Sequence, residues 1–180
     1  MVLAVAVNIF VGQIALNFNL PLYLDSIGTV LAGVLAGPWV GAIVGYFTNL
    51  AWTLTGLFPE AVGFMPVAVI IGLLAGVFGR SEWMKEWWTA ASAGLLTGLV
   101  AAVLSAPIAA YVYGTLGNAG TDTIVDIFRF LGFNILFSNY AQGTFSDPLD
   151  KAITFLLVWL IMLVIPQWLK DQFTPRATQD

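Results

Sequence analysis

Cysteine and histidine are both missing from this chain of 180 residues. Without cysteine, the sequence offers no disulfide bond and no thiolate metal site, and it carries no information about the redox state of its compartment. Without histidine, it lacks the commonest general base and metal ligand. It also contains no GxSxG, HExxH or paired-carboxylate motif. We therefore expect neither enzymatic activity nor a bound metal or cofactor.

Charge is scarce as well, since only 9% of the residues are charged while 59% are hydrophobic and the mean hydropathy is +0.91. Soluble domains carry about a quarter charged residues, so the composition indicates an integral membrane protein surrounded by lipid. The net charge of −4 is small and dispersed, which argues against nucleic acid as a partner. Residues 72–81 lack the lysine of a phosphate-binding loop, so we do not expect this chain to bind ATP.

Apolar runs separated by turn residues predict an all-α membrane protein, a six-transmembrane-helix bundle formed by a single domain, 1–180. The predicted helices cover 2–16, 19–36, 38–57, 63–79, 89–113 and 149–169. No basic region or cleavage site accompanies the first run, so we expect 1–17 to be a retained helix and not a signal peptide.

Basic residues predict the orientation of this bundle. With six crossings, Arg80, Lys85, Lys170 and Arg176 share one side with both termini, whereas Arg129 and Lys151 fall near the other. Because basic loops stay inside the cell, we expect both termini to be cytoplasmic.

Small residues recur at four-residue spacing along the second and third predicted helices, at Gly33, Gly37, Gly41 and Gly45. The turn Gly37-Pro38 interrupts them, and the first helix carries a similar series at Ala4, Asn8 and Gly12. Such spacing allows close approach of another backbone. Two uses are open: packing inside the bundle, which is the usual one, or docking of a partner.

Ionisable residues occur near the outer ends of helices two and six, at Asp25, Asp150 and Lys151. They could contact the polar group of a substrate. Alternatively, Asp25 pairs with Lys151, or Asp147 and Asp150 cap a helix N-terminus. We favour the structural alternatives, because both acids near position 150 fall in the first turn of the predicted helix.

Asn49 and Trp52 lie three residues apart, on one face of helix three. An amide beside an aromatic plane suits a planar polar ligand. A tryptophan at this depth is equally typical of an interface anchor.

The aromatic-rich outer segment 122–147, between helices five and six, interleaves phenylalanines with Arg129, Asn134 and Asn139. Arg129 and Gly132 break its apolar run, which disfavours a seventh crossing. We expect an amphipathic helix that either folds over the bundle as a lid or lies at the membrane surface.

The stretches LPLYLDSIGTVLAGVLAGPWVGAIVGYFTNL (20–50) and SDPLDKAITFLLVWLIMLVIP (146–166) resemble the substrate-binding S components of energy-coupling factor (ECF) vitamin transporters. The resemblance covers essentially the whole chain and is specific to the family, not to a substrate. It implies a six-helix protein of the prokaryotic cytoplasmic membrane that captures a vitamin or related small molecule from outside. It also implies partners, namely a transmembrane T component and two ATPase subunits.

In that family the substrate lies near the outer surface, beneath the loops after helices one, three and five, here about 17–24, 57–62 and 114–148. Combined with the polar and aromatic residues, this gives the candidate substrate-binding set Asn17, Asn19, Tyr23, Asn49, Trp52, Tyr111, Arg129, Phe133, Asn134, Asn139, Asp150 and Lys151. The family docks small residues of helices one to three on its T component. The implied docking set is Ala4, Asn8, Gly12, Gly33, Gly37, Gly41 and Gly45, although Asn8 replaces an alanine of the family pattern.

Two other functions are compatible with the sequence. One is a membrane receptor module that senses a ligand without transporting it. The other is an assembly protein whose glycine hairpin organises a larger membrane complex. ATP-dependent uptake distinguishes the first hypothesis from both.

Overall fold

The computed structural model describes residues 1–114 and 121–173, and every regular element in these ranges is a helix. Arg176, which entered the predicted orientation, lies outside the described residues. The helices are α1 (Val2–Asn17), α2 (Ile27–Ala36), α3 (Pro38–Thr55), α4 (Met65–Gly79), α5 (Trp87–Ile108), α6 (Asp122–Phe130), α7 (Ile135–Val164) and α8 (Gln167–Lys170). Short 3₁₀ helices cover Pro59–Phe64 and Glu82–Met84, and a π-helical turn at Ala109–Tyr113 extends α5.

The predicted all-α class is confirmed, whereas the count of six crossings stays a prediction. Among the described residues, two stretches are long and apolar enough to span a bilayer, Pro59–Gly79 and Trp87–Tyr113. The helices α1 and α2 are apolar but shorter. At 1.5 Å per residue, the 16 residues of α1 extend about 24 Å, less than the hydrocarbon thickness of about 30 Å.

The second helix begins at Ile27 and not at Asn19, so the predicted boundary is wrong. Residues 18–26 form an irregular loop instead, in which Asn19 and Leu24 adopt left-handed φ angles of 49° and 51°. Contacts with α7 stabilise this loop, because the Asp150 carboxylate accepts hydrogen bonds from the backbone amides of Tyr23 and Leu24. The local sequence does not reveal this long-range partner.

The last long helix begins at Ile135, fourteen residues before the predicted start at 149. Asn134 caps it, since the side-chain Oδ1 accepts a hydrogen bond of 2.8 Å from the amide of Phe137. Pro148 lies within the helix, as packed membrane helices can tolerate. Asp147 and Asp150 therefore occupy the helix interior, and the hypothesis that they cap an N-terminus is wrong.

Close backbone contacts join α2, α3 and α4 at glycines. A Cβ atom added to Gly41 would lie 2.8 Å from the Cα of Gly33 and nearer still to the carbonyl oxygen of Gly72. Gly45 packs in the same way on the backbone of Ala68. Helices without side chains at these positions can approach closely enough for extensive van der Waals contact.

The residues predicted to dock a partner lie inside the bundle of this chain, and docking itself stays a prediction. Asn8, Gly12, Gly33, Gly37, Gly41 and Gly45 are buried, and the backbone of half-buried Ala4 packs against Gly28. Packing within the chain, the alternative that the spacing left open, accounts for the burial of the series.

A second series of small residues packs α5 against α7, with members at Ala90, Gly94, Gly98, Ala102 and Ala106. All five are buried. A Cβ atom at Gly98 would lie 2.5 Å from the nitrogen of Pro148, and one at Gly94 would lie 2.6 Å from the Cα of Ala152. Through these contacts α5 packs directly on the backbone of α7 around Pro148 and Ala152.

The apolar core lies between these two packed groups of helices. Val30 of α2, Ile71 of α4, Ala93 of α5 and Phe155 of α7 belong to one buried cluster. Above this cluster, near the C-terminal ends of α1 and α3, the interior becomes polar and contains a cavity. We refer to this as the cavity end of the bundle.

Candidate functional site

The cavity has a volume of about 100 Å³ and is bounded by the loop 18–26 and by side chains from α2, α3, α4, α5 and α7. Its lining combines hydroxyl, amide, charged and aromatic groups. These include Tyr23, Asp25, Ser26, Thr29, Thr48, Asn49, Trp52, Phe58, Phe64, Ser105, Asp147 and Lys151. A mostly apolar pocket with a few convergent polar groups is the usual form of a small-molecule site.

Asn8 organises the polar base of the cavity. Its side chain is completely buried, and its Nδ2 donates to the hydroxyls of Thr29, at 2.8 Å, and Thr48, at 2.9 Å. Its Oδ1 accepts a hydrogen bond of 2.6 Å from the amide of Gly28. This group, here called the Asn8 network, joins α1, α2 and α3, and two of its members line the cavity.

Lys151 provides the positive charge of the cavity wall and is almost fully buried. Its Nζ donates to the Ser26 hydroxyl at 2.8 Å, pairs directly with the Asp150 carboxylate, and lies 3.6 Å from the Asp25 carboxylate. The predicted pair of Asp25 and Lys151 is therefore present. A buried ammonium group requires such partners, because its desolvation is otherwise very unfavourable.

Asp150 does not line the cavity but holds the loop above it. The carboxylate is completely buried, and its Oδ1 accepts hydrogen bonds from the amides of Tyr23, at 3.0 Å, and Leu24, at 2.7 Å. Its Oδ2 pairs with Lys151. The position of the loop is thus fixed by a charge in the middle of α7.

A second buried carboxylate, Asp147, faces the cavity one helical turn before Lys151. Its Oδ2 accepts a hydrogen bond of 3.3 Å from the Ser105 hydroxyl of α5. Among the described residues, no group of three or more potential ligands is arranged to hold a metal ion.

Tyr23 connects the loop to α7 and to the start of α6. Its hydroxyl donates to Thr121 at 3.3 Å and accepts a hydrogen bond of 3.2 Å from Gln142. Burial, together with the nearby carboxylate of Asp147, raises the pKa of the Tyr23 phenol above its ordinary value. The phenol therefore stays protonated and remains a hydrogen-bond donor at physiological pH.

Trp52 forms the aromatic wall with Phe58, whose ring centroid lies 6.4 Å away in an edge-to-face arrangement. Gly12 makes room for the indole, because a Cβ atom there would lie 2.8 Å from the Trp52 Cζ2. The indole is 3% exposed, and its Nε1 has no hydrogen-bond partner in the part of the chain that the structure describes. A buried indole N–H normally has an acceptor.

Asn49 lies on the same face of α3 as Trp52 and also borders the cavity. Its Nδ2 donates a hydrogen bond of 3.0 Å to the carbonyl of Ala61, which attaches the Pro59–Phe64 segment to α3. The hydroxyl of Tyr113 accepts a hydrogen bond from the amide of Gly63 in that segment. Asn49 thus shapes the cavity by positioning its neighbouring loop.

The structure brings four of the predicted site residues to the cavity wall, Tyr23, Asn49, Trp52 and Lys151, with Asp150 directly behind them. The other seven do not line it. Asn17, Asn19, Tyr111, Arg129, Phe133 and Asn134 are exposed, and Asn139 is buried with its Nδ2 bonded to the carbonyl of Ile135 in its own helix.

Segment 122–147 was expected either to cover the bundle as a lid or to lie at the membrane surface, and both alternatives stay predictions. Phe133 stacks on Phe137 with ring centroids 4.6 Å apart, and Phe128 packs against both, so these rings contact one another and none lines the cavity. The exposed end of α6 includes Phe130, which is 92% exposed.

Several lining residues were absent from the predicted site set, namely Thr29, Thr48, Phe58, Phe64, Ser105 and Asp147. For Asp147 a signal existed, since it precedes Lys151 by four residues and would share its helical face. The shared helical face was not recognised because the predicted helix began at 149, after Asp147. The threonines and Ser105 carry no comparable pattern in the sequence.

The fold and cavity define a class of protein, an apolar helical bundle with a cavity of mixed polar and aromatic lining near one end. The comparison with protein families agrees with that class. A family model described as ECF transporter, substrate-specific component, matches residues 1–170, so the chain belongs to this family. It is an integral membrane protein of a transport system and not an enzyme. No curated protein and no solved structure matches the chain significantly.

Proposed function

We propose that this protein captures a vitamin-like small molecule in the cavity beneath the loop 18–26. It would then deliver that molecule with a transmembrane T component and two ATPase subunits. Membership in the substrate-specific family supports the transport role. The observation that carries the proposal is the indole N–H of Trp52, which has no partner within residues 1–114 and 121–173 and borders a cavity with several polar groups. A bound molecule with a hydrogen-bond acceptor would supply the missing partner.

The proposed orientation places the cavity end outside a prokaryotic cell and both termini in the cytoplasm. Arg80 and Lys85 follow α4, and Lys170 lies in α8, so these cations share the end opposite the cavity. Positive charge near helix ends favours the cytoplasmic side. In this orientation the loop 18–26 faces the source of the substrate.

Mass spectrometry of the purified protein tests the capture role. Released in the gas phase from detergent micelles, the native protein should retain a small molecule that dissociates on activation. The Trp52→Phe variant keeps an aromatic ring but loses the N–H donor. We expect it to bind that molecule about tenfold more weakly, since one hydrogen bond contributes about 0.5–1.5 kcal/mol and some ring contact is lost as well.

Trp39→Phe is the matched control, because Trp39 is 75% exposed on the same helix, α3. It should leave the affinity unchanged. The proposal is contradicted if Trp52→Phe folds normally and binds the molecule as tightly as the unaltered chain. It is equally contradicted if the protein binds none of a panel of radiolabelled water-soluble vitamins and retains no molecule through purification.

A further inference from the structure

The charges around the cavity are unequal in number. Three carboxylates, Asp25, Asp147 and Asp150, surround one ammonium group, that of Lys151, which is the one cation among the described residues lining the cavity. Asp25 and Asp147 also line it, whereas Asp150 lies behind Lys151. The wall therefore contains more carboxyl groups than basic groups.

Lys151 has little capacity left for a ligand. An ammonium group has three donors. Its Nζ already donates to Ser26 and to Asp150, and the Asp25 Oδ1 lies 3.6 Å from the same Nζ, within reach of the third donor. An anionic ligand would have to displace Ser26, Asp25 or Asp150 from Lys151, and loss of the Asp150 contact would leave a buried carboxylate unpaired, which is strongly unfavourable.

The carboxylates, by contrast, keep free capacity. The Asp25 side chain is 40% exposed although it contributes to the pair with Lys151. From the described residues, Asp147 accepts one side-chain hydrogen bond, which Ser105 donates to its Oδ2. An ionised carboxylate has about four acceptor positions. Both groups can therefore accept further hydrogen bonds from a donor in the cavity.

The aromatic wall favours the same kind of ligand. Trp52, Phe58 and Phe64 line the side formed by α3 and the segment that follows it. A cation within about 6 Å of such ring faces is attracted by their negative electrostatic potential, most strongly for tryptophan. The buried Nε1–H of Trp52, without a partner among the described residues, adds a separate requirement for one acceptor on the ligand.

We infer that the ligand of this cavity is a compact organic cation with a flat or small apolar body and one hydrogen-bond acceptor. Its positive group lies between Asp25 and Asp147, and its acceptor faces the Trp52 indole. This inference rests on the proposed function and specifies the substrate class of the same site.

Three probes test the inference, each with one six-membered aromatic ring and one hydroxymethyl group. They are the cation 1-methyl-3-(hydroxymethyl)pyridinium, the neutral 3-methylbenzyl alcohol and the anion 3-(hydroxymethyl)benzoate. We measure the dissociation constant of each for the purified full-length protein by titration calorimetry, up to millimolar concentration. The cation should bind about tenfold or more tightly than the neutral probe, and the anion should bind weakest.

Two variants remove one negative charge each, Asp147→Asn and Asp25→Asn. Both should reduce the preference for the cation over the neutral probe, whereas Asp126→Asn on the exposed face of α6 should not. Asp25 is half-exposed, so its variant keeps the test valid even where the buried Asp147→Asn variant fails to fold. Thermal unfolding in detergent checks the fold of each variant.

A neutral or anionic probe that binds as tightly as the cation overturns the inference, as does a failure of all three probes to bind. A different result distinguishes the failure of this inference from a failure of the proposed function. If the molecule that co-purifies with the protein is neutral or anionic and its binding depends on Trp52, the capture role stands while the cationic ligand class is wrong.

Discussion

A single amide, that of Asn8, joins three helices beneath the cavity. It makes hydrogen bonds to Thr29, Thr48 and the amide of Gly28, and no part of its side chain is exposed. In the sequence, Asn8 stands out only as a polar residue within an apolar helix and as a departure from the family's docking pattern. Its three partners lie 20, 21 and 40 residues away, and no local spacing could identify them.

Replacing Asn8 with alanine should lower the free energy of unfolding. The two threonine hydroxyls and the Gly28 amide would each lose a hydrogen bond inside the bundle. We expect a loss of about 1–3 kcal/mol, since bonds between membrane helices average below 1 kcal/mol each and an unpaired buried group adds to the effect. Denaturation of the purified protein by increasing mole fractions of SDS, followed by circular dichroism, measures the change.

Asn17→Ala provides the control for Asn8→Ala, because Asn17 lies on the same helix and its exposed side chain accepts a surface hydrogen bond from Gln13. Its unfolding curve should coincide with that of the unaltered protein. Equal stability of the two variants would mean that the Asn8 network does not stabilise the bundle.

Residue type alone was enough to select Trp52, Asn49 and Lys151 as candidate substrate-binding residues, because an aromatic ring, an amide or a charge at membrane depth needs an explanation. They were not enough to select Ser105 or Thr48, which are common in buried helices and gain a role only from what faces them. The exposed candidates, such as Arg129 and Asn19, were selected for the same chemical reasons as the candidates that line the cavity. Only tertiary structure separates the two groups.

At the scale of helices, the sequence predicts α1, α3 and α4 to within a few residues. Their boundaries follow from local signals: Pro38 at the first turn of α3, Gly56 in a left-handed conformation after it, and the polar residues after Gly79. The start of α2 was missed because it depends on a distant contact, that of Asp150 with the loop before the helix. The start of α7 has a local cap, Asn134, and was missed because Pro148 and the acids beside it were interpreted as the first turn of the helix, whereas Pro148 lies inside α7 and packs against α5.

The connection between α4 and α5 also carries the clearest prediction about orientation. Cysteine substituted for the exposed Ser81 should be protected from a membrane-impermeant thiol reagent in intact cells, and it should react after permeabilisation. Cysteine substituted for the exposed Thr123 of α6, toward the cavity end, should react without permeabilisation. The native chain has no cysteine, so labelling reports only the introduced group.

Labelling of the Ser81→Cys variant in intact cells would contradict cytoplasmic termini and reverse the proposed orientation. Protection at both positions would show that the Thr123 side does not reach the outer solution. Because Ser81 and Thr123 are both exposed in the structure, a difference between them reports the side of the membrane and not burial within the protein.

For the molecule as a whole, the class of protein follows from composition, and the family follows from two stretches that together cover about a third of the chain. Burial of the glycine series could not be predicted in the same way. Small residues at four-residue spacing give a helix one face without large side chains, which allows another backbone to approach closely. The spacing does not indicate whether that backbone belongs to the same chain or to another one. In the structure, Gly33, Gly41 and Gly72 pack on one another within this chain, and docking of a partner by the series stays a prediction.

The central claim is that this cavity supplies substrate to an ATP-driven importer, and uptake by reconstituted proteoliposomes tests it most directly. The protein is co-reconstituted with the T component and ATPase subunits of its source cell, and the labelled molecule identified by co-purification is added outside, with ATP inside. We predict ATP-dependent accumulation that is absent without this chain and that Trp52→Phe reduces at subsaturating ligand, while Trp39→Phe does not. Tight binding to this chain without any ATP-dependent accumulation would contradict the account and indicate a receptor instead.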